Sequence, residues 1–75
     1  MKCYIVYSDF GIKPVLFKNF DNAYTFAQEW IDKNENESIE LYGESRPTED
    51  IYIWEFGGYD ENEYRLIIEP IKTPV

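Results

Sequence analysis

Histidine is absent from this chain, and cysteine is down to a single residue, Cys3. Without histidine there is no usual general base near neutral pH and no access to the commonest metal-binding side chain. A lone cysteine rules out an internal disulfide framework and fits a reducing, cytoplasmic setting. Cys3 also heads an apolar run with no base beside it, the setting of a buried, inert thiol. Ser8, Ser38 and Ser45 sit in no nucleophile-elbow pattern. Gly11, Gly43, Gly57 and Gly58 are spaced as turn residues and match no phosphate-binding loop. These absences point to a protein with no catalytic residues, no metal and no cofactor.

Long apolar runs are missing as well, and nothing approaches the roughly 18 residues of a membrane span. Asp9, Gly11, Lys13 and Pro14 break the apolar start in a way that fits no secretory signal. Positive charge is scarce: seven Lys and Arg face fifteen Asp and Glu, a formal net charge of −8. Direct binding to nucleic acid is disfavoured, because it needs cations to displace counterions. An anionic membrane is excluded by the same sign, whereas a basic protein surface is a permitted partner.

Aromatic residues are what the chain has in excess, at 19% of its 75 residues. Each large ring buries roughly 150–250 Å², enough for so short a chain to build a core without staples. Residues 1–75 read as a single compact domain with no repeat, low-complexity tract or linker. The segment 20–34 organises it. Phe20, Ala23, Tyr24, Ala27, Trp30 and Ile31 recur at helical spacing, with Asn19 or Asp21 as cap. Strands are expected at 2–7, 14–17, 38–42, 51–56 and 64–69, the first two forming a hairpin. The polar stretch 44–50, with Pro47, interrupts pairing; Gly57 and Gly58 open a hairpin loop; Pro70 and Pro74 end regular structure. The expected fold is α+β, a single helix packed across one face of an antiparallel sheet, in the order β-β-α-β-β-β.

One helix covers one face, so strand faces matter. If Ile51, Ile53 and Leu66 point at the helix, then Tyr52, Trp54 and Phe56 form a bare aromatic stripe suited to an interface. The alternative is that sheet curvature or the 44–50 stretch covers those rings.

Carboxylates are the remaining signal. Glu55, Asp60, Glu61 and Glu63 gather around one hairpin, but paired-carboxylate catalysis needs a pocket that so small a domain has little volume to form. Asp32, Asn34, Asn36 and Ser38 occupy positions 1, 3, 5 and 7 of a calcium loop. Glu37 then stands where glycine is required and Gly43 where a bidentate glutamate is required, so the loop fails. On the helix, Asp21, Glu29 and Asp32 share the outer side, with Glu35 and Glu37 just beyond. Glu29 and Asp32 repel each other one turn apart, and Lys33 is the only cation nearby. Carboxylates on adjacent helical turns lie about 5–6 Å apart, similar to the charge spacing along a nucleic acid. An acidic halo that only maintains solubility is the competing explanation.

In size and charge the chain resembles the small phage and mobile-element proteins that block host nucleases or DNA-binding proteins. That resemblance covers no motif and carries over no residue. It implies an inhibitor that occupies a basic, nucleic-acid-binding groove. Asp21, Glu29, Asp32, Glu35, Glu37, Asp60, Glu61 and Glu63 would supply the charge, and Tyr52 and Trp54 the anchors. A homodimer through the aromatic stripe and a small-molecule site around Trp30 and Tyr24 are the alternatives.

Overall fold

Among residues 2–72, the part of the chain that the computed structural model describes, one helix forms, and Asn19 opens it. The Asn19 backbone is extended, and its side-chain oxygen accepts the Asn22 amide N–H at 2.8 Å. That bond satisfies one of the amides a helix start leaves bare. Helix α1 then runs over Phe20–Asn34, the span its periodicity predicts. Ala23, Ala27 and Ile31 make its buried underside. The chain leaves through Asn36, whose φ of 70° is the left-handed exit expected of an asparagine.

The strands are β1 (Lys2–Ser8), β2 (Val15–Phe17), β3 (Ile39–Thr48), β4 (Ile51–Gly58) and β5 (Glu63–Lys72). They form one five-stranded sheet in the order β2-β1-β5-β4-β3, and every pairing is antiparallel. The fold is α+β, with α1 lying on one face, and the predicted first hairpin is present. No helix of the described residues is long and apolar enough to cross a membrane.

Three boundaries differ from expectation, each for a local reason. Strand β3 does not stop at residue 42 but pairs with β4 as far as Thr48. Register shifts at Leu41/Gly43 and Ser45/Thr48 absorb the irregularity, and an edge strand tolerates Pro47 where a central one would not. Pro70 stays inside β5 opposite Tyr4, beyond Ile68 where the β4–β5 register ends, so it pairs on one side only. Pro74 lies outside the described residues. Gly57 and Gly58 belong to β4, and the loop is residues 59–62, with Glu61 at φ 67° taking the left-handed position. Gly57 lies under the exposed Tyr42 side chain: a Cβ there would lie 2.1 Å from the Tyr42 hydroxyl and would push that ring aside.

The larger correction concerns faces. Residues directly opposite on antiparallel strands share a face, and Trp54 stands opposite Leu66, Tyr52 opposite Ile68, and Phe56 opposite Tyr64. All of these point toward the helix. Trp54 and Phe56 are fully buried, so no bare aromatic stripe exists and Trp54 is not an accessible anchor. The alanines on the helix underside bring α1 close to β1, β2 and β5, leaving its flank to be filled by large rings. Trp54 packs 4.6 Å from Tyr52 and 5.5 Å from Tyr24, while Phe56 packs 5.6 Å from Trp30. Phe10, from the β1–β2 connection, joins them edge-on to Trp30, Phe56 and Tyr64. Burial of one such ring removes about 200 Å² from water, a transfer term of about 5 kcal/mol.

Candidate functional site

Strand directions decide where the carboxylates lie. Helix α1 and strands β1 and β4 all end, and β3 and β5 both begin, at one edge of the molecule. There Asn36 donates its N–H to the Ile39 carbonyl at 2.9 Å, and Ile39 pairs with Gly58. The Tyr59 hydroxyl donates to the Asn36 carbonyl at 2.8 Å, tying the β4–β5 loop to the helix exit. Two acidic groups far apart in sequence thus become neighbours: Glu35 and Glu37 on one side, Asp60, Glu61 and Glu63 on the other. Glu40 joins them, opposite Gly57, which in turn faces Glu63. Asp32 and Glu29, in the last turns of α1, extend this acidic end along the helix.

Asp21 does not belong to the group. It lies in the first turn of α1, about 20 Å away along the axis. That opposite end mixes charges: Lys2 opposite Lys72, Lys18 after β2, and Arg46, whose guanidinium stacks 4.8 Å over the Phe20 ring, stand there with Asp21, Glu49 and Asp50. Lys2 and Asp50 form the only salt bridge among the described residues. Hydrogen bonding from Lys2, with help from Tyr4, holds the Asp50 carboxyl below its ordinary range. The acidic end forms no such pair among the described residues, and Lys33, in the last turn of α1, is outnumbered there by the carboxylates. Within it, Asp60 accepts from the Tyr64 hydroxyl and the Asn62 N–H, and these bonds keep its carboxyl below the ordinary range.

Tyr52, the second expected anchor, is half-buried on the helix side and donates to Glu44 at 2.9 Å. Burial, reinforced by that carboxylate, pushes its phenol up to about 12. Trp30 and Tyr24 are engaged in ring contacts with the core.

The face turned away from the helix, expected to present Tyr52, Trp54 and Phe56, presents other residues. Tyr7, Ile67, Ile53 and Ser45 form one cross-strand row on it, and Leu16, Ile5 and Glu69 the next. A groove of about 490 Å³ crosses this face, lined by Tyr7, Tyr42, Glu55, Glu63, Arg65 and Ile67 among others. Tyr7 donates to Glu69 at 3.3 Å, and burial followed by that carboxylate raises its phenol above the usual range. Leu16 and Tyr42 are 58% and 59% exposed, the accessible apolar groups of this face. The sequence did hold the signal: large rings and isoleucines alternate in β4, and the larger set belongs under the helix. No family model, curated protein or solved structure matches the chain.

Proposed function

We propose that this chain is a small, non-enzymatic, cytoplasmic protein-binding module that occupies a basic, nucleic-acid-binding groove on a partner protein, as mobile-element inhibitors do. The observation that carries the reading is the acidic end. Glu35, Glu37 and Glu40 meet Asp60, Glu61 and Glu63 there, while Lys2, Lys18, Arg46 and Lys72 sit at the other end. Such an arrangement is an electric dipole, which orients the molecule as it approaches a cationic surface and speeds encounter.

The acids are also placed against local stability. Asp32 and Glu35 crowd the C-terminus of α1, where the helix dipole is already negative and each carboxylate costs about 0.3–1 kcal/mol. A carboxylate halo serving solubility alone gains nothing from that position. With Trp54 in the core, affinity rests on charge and on side chains other than the β4 rings.

Capture of host proteins on the immobilised full chain, at about 0.05 M and about 0.5 M salt, tests the reading. The expected result is a basic nucleic-acid-binding protein held at low salt, released at high salt, and lost when Glu35, Glu37, Asp60 and Glu61 become lysine. Reversal of Asp21 and Glu49, at the other end, leaves capture unchanged. A partner retained equally by both sets of variants removes the acidic end from the mechanism.

A further inference from the structure

The helix-free face of the sheet changes character from one end to the other. Successive rows lie about 6.7 Å apart along the strands. The row Leu16–Ile5–Glu69 and the row Tyr7–Ile67–Ile53–Ser45 are mainly apolar. Arg65, Glu55 and Gly43 make the next row, and Glu63, Gly57 and Glu40 the last. The face therefore runs from aliphatic to carboxylate, and its acidic margin is continuous with the acidic end. Arg65 forms no ion pair among the described residues, and Asp9, Glu55 and Glu63 outnumber it around the groove.

We infer that this face is the docking site for a basic amphipathic helix of a partner protein. The helix lays its apolar stripe on Ile5, Leu16, Ile53 and Ile67 and its flanking lysines or arginines against Glu40, Glu55 and Glu63. The inference rests on the reading that the partner is basic.

Size and charge select this occupant over a second copy of the chain. Five strands about 4.8 Å apart give a face about 20 Å wide, and the paired length is similar. The resulting flat footprint of about 400 Å² is small beside the roughly 800 Å² of accessible surface per partner that a stable interface uses. Two copies would also bring together molecules that each carry a formal charge of −8. A helix about 10 Å across fits the width, and its basic flank meets the carboxylate rows. Strand addition at β3 is the poorer alternative, because its register shifts and Pro47 spoil a regular edge.

Isoleucine methyl NMR of the full chain, titrated with an amphipathic Leu/Lys helical peptide of about 18 residues, tests the inference. The expected result is movement of the Ile5, Ile53 and Ile67 methyls while those of Ile31, Ile39 and Ile68 hold still. A scrambled peptide of the same composition is expected to bind at least ten-fold more weakly, as is the original peptide to Ile67→Lys. Leu16→Lys, at an exposed edge, gives the same loss even if Ile67→Lys fails to fold. Equal binding of the scrambled peptide, with shifts confined to residues 35–37 and 60–63, overturns the docking site and leaves the electrostatic reading standing. No methyl shift at all overturns it too. So does a micromolar dimer in sedimentation that Leu16→Lys disperses, since the occupant is then a second copy. Independently, host capture that persists at high salt and survives reversal of Glu35, Glu37, Asp60 and Glu61, while the peptide still docks on the face, counts against the electrostatic reading.

Discussion

The two faces of this sheet are built from the same strands and solve opposite problems. On the helix side, Trp54, Phe56, Leu66 and Ile68 are sealed and the large rings interlock. On the other side, Ile5, Ile53 and Ile67 stand in an open layer beside Leu16, with Tyr42 folded back over Gly57. Neighbouring residues of one strand thus have different tasks: Trp54 holds the fold, and Ile53 presents a surface. The difference teaches that residue size can decide which face of a strand faces the core when one helix is available. Rings from the sheet fill the space beside alanines on the helix, whereas isoleucines are left for solvent or for a partner.

The strongest way to break that comparison is to truncate each neighbour in turn. Trp54→Ala is expected to cost about 3–5 kcal/mol in denaturant unfolding, as large core deletions do. Ile53→Ala, on a half-solvated face, should cost about 1 kcal/mol. Equal losses would mean that both faces are packed alike. Trp54→Phe sharpens the point, because the indole Nε1 is buried without an acceptor among the described residues. Removing that donor recovers about 1–3 kcal/mol of desolvation, which offsets most of the lost ring volume. A loss close to that of Trp54→Ala would show that the indole N–H is satisfied after all.

Smaller effects probe what positions the two faces. Asn19→Ala removes the helix cap and should lower stability by about 1 kcal/mol, read from the denaturation midpoint. Gly57→Ala drives a methyl into the Tyr42 ring, but Tyr42 is largely exposed and can swing outward. The expected loss is under about 1 kcal/mol. It should vanish in the Tyr42→Ala background, and persistence there would place the clash elsewhere.

The least disruptive test is titration. Tyr52, raised to about 12, binds its proton more tightly in the folded state. Its contribution is complete below the unfolded phenol value near 10 and is lost as pH climbs from there toward 12. Tyr4, Tyr7 and Tyr64 are also raised, so ultraviolet titration should show several late-ionising phenols, of which Tyr52→Phe removes the component nearest 12. Asp50 and Asp60 are shifted downward, so their contribution is present above the ordinary carboxyl range and fades as pH falls below about 4. Lys2→Ala should flatten that acid limb, and an unchanged acid transition would detach the Lys2–Asp50 pair from stability.

Legibility followed locality. The helix from Phe20 to Asn34 was readable, and its cap was narrowed to Asn19 or Asp21, because spacing and capping chemistry act within a few residues; the fold uses Asn19. Strand existence was readable too, from β-branched and aromatic runs. Pro47, Pro70 and the Gly57–Gly58 pair misled, because their meaning depends on whether a neighbouring strand is present on each side. Of the expected interaction residues, Glu35, Glu37, Asp60, Glu61 and Glu63 are brought together, and Asp21 is left at the far end. Trp54 is withdrawn into the core, while Glu40, Tyr7 and Tyr42 enter the picture only through register.

The amino-acid order alone determined an acidic α+β chain with one amphipathic helix, because composition and short-range periodicity are properties of consecutive residues. Which way Trp54 faces, and which carboxylates share an end, was decided only by the folded sheet. Strand order and register are contacts between residues tens of positions apart, and they depend on the packing of all the elements at once.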